Sequence, residues 1–203
     1  MTKIETVAQL RQLYKAPSDV VLRKELSQLD DHCRRFLALS PLAVLATSGA
    51  DGRHDASPRG GGKGFIQVLD DQTLLIPDRP GNNRLDTLTN VIETGRIALI
   101  HFIPGVNEEL RINGRAELRT DDSLRERCVE GGKLPALVIV VTVEEAYLHC
   151  PKALLRAELW TAEAQIKRDQ LPSLGQMIKD QVGLAGEPEP QAAMEARYRQ
   201  ELY

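Results

Sequence analysis

The sequence predicts a mainly β protein of the α+β class, in which short helices flank a mostly antiparallel, barrel-like sheet. Six or more short apolar runs follow one another in hairpin order, separated by turn signals such as Asp51-Gly52 and Pro104-Gly105. Residues 109–119 alternate apolar and polar side chains, which is the pattern of a half-buried strand. Residues 137–143 form the most β-branched run of the chain and therefore predict a central strand.

The composition limits the classes of protein that need to be considered. The 203 residues are 42% hydrophobic and 27% charged, as in a soluble globular protein with one real core. The formal net charge is −3 without a basic block, so no nucleic-acid partner is expected. No apolar run reaches the length of a membrane helix, and no signal peptide is apparent. The three scattered cysteines predict a reducing, cytoplasmic location without a disulfide or zinc site.

Two helices are expected before the first strand. Residues 1–17 predict a short helix with Val7, Leu10 and Leu13 on one side. Ser18 or Asp19 can cap a second helix, which Ser40-Pro41 would end. The apolar stripe of this second helix spans several turns, at Leu22, Leu26, Leu29, Cys33, Phe36 and Leu37.

Two hairpins are expected next. Residues 42–47 predict a buried strand that returns over 54–59. The glycine run that follows lacks the GxxxxGK[ST] spacing of a phosphate-binding P-loop, because Gly64 follows Lys63. We therefore expect a mobile connection between strands at 60–64. Residues 65–69 and 73–76 predict the second hairpin.

Residues 74–86 predict a buried strand, a tight Pro/Gly loop and the first turn of a helix. One residue of the pair Asn82-Asn83 would cap that helix, with Asp86 as the capping-box partner of Asn83. Helix N-termini attract anions, and Arg79 and Arg84 flank this one. The loop is therefore a candidate phosphate site, with an ordinary solvated loop as the alternative. Residues at helical spacing follow, namely Leu85, Leu88 and Ile92, and Gly95 is the expected stop.

The rest of the chain continues the pattern and then changes. Residues 96–102 predict a strand, and residues 120–128 a short helix. Within 147–160, Lys152 and Arg156 would share one face of a helix, and Trp160 follows. A short helix is expected over 173–181, then a linker over 186–190 and a charged helix over 191–203.

Three polar groups surround the predicted sheet. They are Ser57-Pro58-Arg59 at a strand end, the Arg79–Arg84 loop, and the outward strand face that carries Glu109 and Arg111. Each alone can be an ordinary surface feature, but together they would give a polyanionic small molecule arginines at both ends. Because no nucleophile–base pair, carboxylate pair or metal cluster accompanies them, a bound cofactor is expected to do the chemistry.

The sequence resembles the pyridoxamine 5′-phosphate oxidase-like, FMN-binding split-barrel proteins, in particular a bacterial subgroup of predicted flavin-nucleotide-binding proteins. The motifs that carry the resemblance are PLAVLAT (41–47), DASPRG (55–60), VLDD (68–71), IPDRPGNNR (76–84), LRINGRA (110–116) and HCPKA (149–153). The resemblance implies a split β-barrel domain over residues 30–160. Residues 1–29 and 161–203 would then be N-terminal and C-terminal helical extensions.

The resemblance also implies a cofactor site. In that family the loop after the second hairpin and its helix hold the FMN phosphate, and the strand matching Ser57 and Arg59 lies along the ribityl chain. Glu109 falls near a position that meets the flavin, and the C-terminal portion contributes from the partner chain of a homodimer. The implied cofactor-binding residues are Ser57, Arg59, Asp78, Arg79, Asn82, Asn83, Arg84, Glu109, Arg111, Lys152, Arg156 and Trp160.

The implied function is an FMN-dependent oxidoreductase that acts on an unidentified small molecule, with NAD(P)H as a candidate electron donor. A non-catalytic flavin-binding, storage or redox-sensing protein is the alternative, and another cofactor such as a deazaflavin or haem is a third. Oxidation of pyridoxamine phosphate itself is not expected. The oxidases carry an Arg-Lys pair where this chain has Asn83-Arg84, and their C-terminal Arg-x-His is absent.

Overall fold

One antiparallel sheet of seven strands forms the centre of the computed structural model, which describes residues 3–202. The strands are β1 (Leu42–Ser48), β2 (His54–Gly60), β3 (Gln67–Val68), β4 (Thr73–Pro77), β5 (Arg96–Phe102), β6 (Glu109–Arg119) and β7 (Val138–His149). They lie in the order β2-β1-β5-β6-β7-β4-β3. Because β2 and β3 are edge strands within the described chain, the sheet is split rather than closed. The predicted mainly β, antiparallel split-barrel class is confirmed.

The strand β7 is central, as its β-branched run predicts. It pairs with β6 along its length and with β4 through residues 138–142. A bulge between Asn113 and Gly114 shifts the β6–β7 register. Position 114 requires glycine, because a Cβ there would overlap the carbonyl oxygen of Thr142.

Two helices cover the inner face of the sheet. These are α3 (Asp31–Leu39) and α4 (Asp86–Thr94), whose buried apolar residues join the core formed by β1, β5, β6 and β7. The other helices are α1 (Val7–Leu13), α2 (Asp19–Arg23), α5 (Asp122–Arg125), α6 (Lys152–Ala157), α7 (Leu174–Val182) and α8 (Gln191–Glu201). The expected helices at 120–128 and 173–181 correspond to α5 with the 3₁₀ turn that follows it, and to α7.

The expected second helix is wrong as one element, because it divides into α2 and α3. Between them Leu26 adopts extended backbone and exchanges hydrogen bonds with Ala146 of β7, N to O 2.9 Å and 2.8 Å. Asp30 then starts a new helix by accepting a hydrogen bond from the Cys33 backbone N–H at 2.8 Å. That hydrogen bond lowers the pKa of Asp30. Only the second half of the stripe is therefore buried, at Leu29 just before α3 and at Cys33, Phe36 and Leu37 on it, whereas Leu22 on α2 is 61% exposed.

The glycine run after β2 is tied down by hydrogen bonds, contrary to the expected mobile connection. The backbone N–H of Gly61 donates to the carbonyl of Pro41 at 3.1 Å, and that of Gly64 donates to Ser40 at 3.2 Å. The N–H of Gly62 donates to Glu130 Oε1 at 3.0 Å. The run therefore fixes the path from β2 to β3.

The chain ends lie outside this core. Neither α1 nor α2 buries any residue, whereas α8 buries Met194. Met1, Thr2 and Tyr203, which belong to the first and last predicted helices, lie outside the described residues. Over residues 3–202, no helix has both the length and the apolar character needed to cross a membrane.

Candidate functional site

Strand alternation places the predicted site residues on two faces of the sheet. Ser57 and Arg59 of β2 pair with Leu45 and Ala43 of β1, whose side chains are fully buried in the core. Paired residues of neighbouring strands point to the same side. Ser57 and Arg59 therefore lie on the inner face, at the edge where the barrel is split. We call Ser57, Arg59 and the loop 78–85 the inner group.

Arg59 lies opposite Asp78 across the split. Its guanidinium is 3.9 Å from the Asp78 carboxylate, and both side chains are largely buried. Burial raises the pKa of Asp78, while the charge of Arg59 acts in the opposite direction. This ion pair connects the edge strand β2 to the chain just beyond β4.

The start of α4 is held against β2 by a network of hydroxyl groups. Asp55 accepts hydrogen bonds from the Ser57 hydroxyl at 3.0 Å and from the Thr87 hydroxyl at 2.5 Å. Thr87 lies in the first turn of α4, where backbone N–H groups carry partial positive charge. A carboxylate of the chain itself therefore lies at this helix start, next to two hydroxyl donors.

The loop before α4 differs from the predicted capping arrangement. Asn82 and Asn83 are not the N-cap, because Leu85 is, in the left-handed region at φ 62°. Asn83 also has a positive φ of 59°, and the Asn82 side chain accepts from the Arg84 N–H at 3.1 Å. Positive φ is costly for a leucine, so the chain maintains a strained turn around Arg84. The predicted buried face of this helix, Leu85, Leu88 and Ile92, is wrong at two positions, because Leu85 and Ile92 are exposed. The residues that α4 buries are Thr87, Leu88 and Val91.

The two arginines of this loop have different environments. Arg84 is exposed, and its Nε donates to Asp86 Oδ2 at 2.8 Å. Arg79 is directed inward, and its guanidinium donates to the carbonyl oxygens of Cys128 at 2.6 Å and Lys133 at 3.2 Å. Glu130 lies 3.6 Å from the same guanidinium. Arg79 thus anchors residues 128–133 in this structure.

The other predicted residues lie on the outer face of β6. Glu109 was expected on a solvent-facing surface, but it is 3% exposed, and its Oε2 lies 3.5 Å from His149 Nδ1. Arg111 and Lys24 lie over the ring of Tyr147 at 5.3 Å and 5.8 Å from its centroid. We call Glu109, Arg111, Tyr147 and His149 the outer group.

The segment after β7 contains the remaining candidates. Lys152 and Arg156 lie on α6 and are exposed, as the predicted helical spacing allows. Trp160 donates its indole N–H to the carbonyl of Val106 at 2.8 Å. The chain therefore brings the inner residues together and the outer residues together, but it places the two groups on opposite faces of one sheet.

Five side chains at the predicted site were not singled out from the sequence: Asp55, Thr87, Glu130, Tyr147 and His149. Asp55 and Thr87 escaped notice because the hydrogen bond between them joins positions 32 residues apart. Tyr147 and His149 were assigned to a segment after the last strand. Continuing the alternation of β7 as far as position 149 would have placed them opposite Arg111 and Glu109.

An apolar surface covers the outer face of β2, β1 and β5. Its nine residues form three cross-strand rows, and we call them the apolar grid: Gly60, Leu42 and Phe102; Pro58, Val44 and Ile100; Ala56, Ala46 and Ala98. A surface depression of about 620 Å³ lies over the alanine row, bordered by polar residues that include His54 and Asn113. A second depression, of about 430 Å³, is bordered by Arg84, Asp55 and Asp86. Among residues 3–202, no cluster of His, Cys, Asp and Glu side chains is arranged to hold a metal ion.

Comparisons with known proteins agree with this architecture. HupZ of Group A Streptococcus has a TM-score of 0.50 and 18% identity, over 59% of this chain and 93% of HupZ. A candidate pyridoxamine 5′-phosphate oxidase from Lactobacillus delbrueckii has a TM-score of 0.48 and 22% identity, over 61% of this chain and 98% of its own. An FMN-binding protein from Syntrophomonas wolfei has a TM-score of 0.43 and 14% identity, over 58% of this chain and 88% of its own.

At 18% identity, the likeness to HupZ shows the fold alone. A comparison with curated proteins found no match. The family model described as pyridoxamine 5′-phosphate oxidase matches residues 29–150, which include every strand of the sheet. The chain belongs to the pyridoxamine 5′-phosphate oxidase family.

Proposed function

We propose that this protein binds FMN and is an FMN-dependent oxidoreductase that acts on a small molecule. The observation that carries the proposal is the inner group, in which Ser57 and Arg59 of an edge strand face a strained loop around Arg84. Strained non-glycine backbone is concentrated at ligand sites, where it places donor groups that packing alone would not place. The three free cysteines agree with a reducing cytoplasm, which we include in the proposal.

The donors of the inner group fit a phosphate monoester. The cations are Arg59, which touches Asp78 only at 3.9 Å, and Arg84, which is exposed. The hydroxyl groups of Ser57 and Thr87 lie beside the start of α4, and a phosphate that uses them as donors must displace the Asp55 carboxylate to which they now donate. Arg79, in contrast, supports the site by anchoring residues 128–133. A phosphate that enters this site competes with Asp86 for Arg84, so we expect its affinity to be moderate and salt-dependent.

A bound flavin would supply hydride or electron transfer, and this chain's residues would bind and orient the flavin. Glu109, which the resemblance places near the flavin, lies 3.5 Å from His149, and we propose these two side chains as the acid–base groups of the site. The second candidate function, flavin binding without turnover, is favoured by one observation. No histidine follows His149 in the sequence, so the substrate-gripping Arg-x-His of the oxidases has no counterpart.

We also propose that the protein is a homodimer that builds each flavin site from two chains. The inner and outer groups are on opposite faces of the sheet, so one chain cannot place both on one small molecule. In a dimer that buries the apolar grid, the outer group, Lys152, Arg156 and Trp160 would approach the partner's inner group. A two-fold interface of this kind uses the same surface of both chains.

The experiment is to identify the released chromophore and then weaken one phosphate contact. Denatured protein is expected to release about one FMN per chain, with no FAD, on HPLC. Arg84→Ala should lower FMN affinity about ten- to a hundredfold, because a charge-assisted hydrogen bond contributes about 1.5–3 kcal/mol. Riboflavin affinity should hardly change.

Arg119→Ala is the matched control. Arg119 also pairs through Nε with a carboxylate two residues away, Asp121, at 2.7 Å, but at the far end of β6. Its replacement should leave FMN affinity unchanged. Absence of flavin after reconstitution, or equal losses of FMN and riboflavin in Arg84→Ala, would refute the proposal. Reduction of the bound flavin by NADH or NADPH separates the oxidoreductase from the non-catalytic binder.

A further inference from the structure

Residues 3–22 have an apolar surface that the described part of their own chain does not cover. Eight large apolar side chains in this segment are 42% to 73% exposed: Ile4, Val7, Leu10, Leu13, Tyr14, Val20, Val21 and Leu22. We call residues 3–23, with α1 and α2, the N-terminal arm. Scattered exposed apolar residues are normal, but a contiguous set of this size marks an interaction surface.

The helix α1 has a specific start but no packing of its own. Thr6 and Gln9 form a complete capping box. The Gln9 N–H donates to Thr6 Oγ1 at 3.2 Å, and Gln9 Oε1 accepts from the N–H groups of Thr6 at 3.2 Å and Glu5 at 2.8 Å. Val7, Leu10 and Leu13 lie on one side, and all seven residues of α1 are exposed. A helix of two turns is not stable alone in water, so most of its stability must come from packing against another surface.

The arm leaves the sheet on its outer face. Lys24 donates to the carbonyl of Leu148 at 2.7 Å and lies over the ring of Tyr147, which belongs to the outer group. From β5, the last strand of the apolar grid, to β7 is two strand spacings, which is about 10 Å. The arm and the apolar grid therefore border the same face.

The size of the apolar grid shows why a dimer needs more surface. Nine side chains at the spacing of a sheet cover about 300 Å². A stable interface buries about 800 Å² per partner. The grid alone supplies less than half of this. The arm offers eight exposed apolar side chains to supply the rest, whereas residues 150–160 offer two, Leu155 and Leu159.

We infer that the N-terminal arm packs on the second copy of this chain in the homodimer and completes the interface that the apolar grid begins. This inference rests on the homodimer proposed above. The C-terminal helices are a poorer choice, because they pack on each other. Gln191 of α8 accepts from the Leu174 N–H at 3.2 Å and from Arg168 at 2.9 Å, and Met194 is buried.

Paramagnetic relaxation in mixed dimers tests the inference. A nitroxide is attached to Gln12→Cys, an exposed position of α1 outside the Val7, Leu10 and Leu13 side, in a 203-residue Cys150→Ser chain, since Cys33 and Cys128 are buried. This chain is exchanged with a methyl-labelled chain that carries no nitroxide. We expect line broadening of outer-face methyl groups of the labelled chain, including Val44 and Ile100. A nitroxide at Ile92→Cys is the control, because Ile92 is 74% exposed on α4, which covers the inner face.

Sedimentation velocity supplies an independent measurement. Val7→Glu/Leu10→Glu should raise the dissociation constant of the dimer at least tenfold, while Ile92→Glu should not. No broadening of outer-face methyl groups in the labelled chain, after subunit exchange has been verified, overturns the arm and leaves the dimer intact. A monomeric wild-type protein overturns both, whereas the flavin proposal is decided separately by the released chromophore.

Discussion

His101 is a fully buried residue whose chemistry does not suit its position. It lies on the inner face of β5, between Ala43 of β1 and Leu110 of β6, and has no exposed surface. Within the described chain, neither ring nitrogen has a hydrogen-bond partner. Burial lowers the pKa of His101 to about 3. The folded protein therefore holds the imidazole neutral at pH values where an unfolded chain would protonate it.

The pH dependence of stability follows from this difference. Below pH 6.5, the ordinary value for histidine, the unfolded chain binds a proton that the folded chain does not. Wild-type protein should therefore lose about 1.4 kcal/mol of unfolding free energy per pH unit until the folded pKa is reached. His101→Leu should remove this slope between pH 6.5 and 5. It should also add about 1–3 kcal/mol at pH 7.5, because two unsatisfied buried nitrogens disappear.

Urea unfolding of both proteins at pH 7.5, 6 and 5 measures the effect. Protonation of the Asp30 carboxyl group does not change the stability between pH 7.5 and 5, because the pKa of Asp30 lies below the ordinary value of 3.8. Parallel loss of stability in wild type and His101→Leu from pH 6.5 to 5 would contradict the prediction.

At the residue scale, the sequence identifies candidate polar side chains but not what each one faces. Arg79 and Arg84 flank the same loop in the IPDRPGNNR motif, yet one is directed inward against carbonyl oxygens and the other is exposed. Glu109 continues the polar alternation of its strand and is nevertheless buried. These differences depend on distant segments such as residues 128–133, which local pattern does not reveal.

The bulge in β6 is the element-scale feature that depends on one residue. Gly114 brings its backbone close to Thr142, with no room for a side chain. Gly114→Ala should destabilise the protein by at least about 2 kcal/mol, because a carbonyl oxygen within a central strand pair cannot move aside. Thermal or urea unfolding measures the loss.

Gly81→Ala is the control for this prediction. A Cβ at position 81 would meet open space. Such a replacement stabilises a protein by about 0.4–1 kcal/mol, because the unfolded chain loses freedom. If the two variants were equally stable, the close approach at the bulge would not be a constraint.

Strands were more predictable than helix boundaries for a physical reason. Burial of one sheet face produces the alternation of residues 109–119, which coincides with β6. Burial of both faces produces the β-branched run of 137–143, within which β7 begins at Val138. The start of α4 depends instead on Asn83 and Leu85 in the left-handed region. A leucine at such a position contradicts its own preference, so no propensity argument could place it.

At the scale of the whole molecule, the two faces of the sheet make a prediction about mixed dimers. If each flavin site joins the inner group of one chain to the outer group of the other, Arg59→Ala and Arg111→Ala damage opposite halves of it. A mixed dimer of these two chains then has one intact site and one site damaged twice. After complete subunit exchange about a quarter of all sites should be intact, because half of the dimers are mixed.

The measurement is bound flavin per chain, before and after exchange is verified by native mass spectrometry. Each variant alone should bind weakly. Mixing Arg59→Ala with Arg84→Ala is the control, because both belong to the inner group and no intact site can form. Equal binding in the two mixtures would show that each chain holds its flavin alone.

The split in the sheet has a mechanical consequence. Across the split, the edge strand β2 and the glycine run after it are linked to the chain beyond β4 through side chains rather than through a strand ladder. The Arg59 guanidinium lies 3.9 Å from the Asp78 carboxylate. Glu130 accepts a hydrogen bond from the Gly62 N–H and lies 3.6 Å from the Arg79 guanidinium. The backbone hydrogen bonds of a strand pair break together, so they resist separation. The ion pairs and the hydrogen bond across the split are few, and each can be replaced separately by an interaction with another anion. We therefore expect that β2 and the loop after β4 can separate and approach again without the loss of any strand pairing.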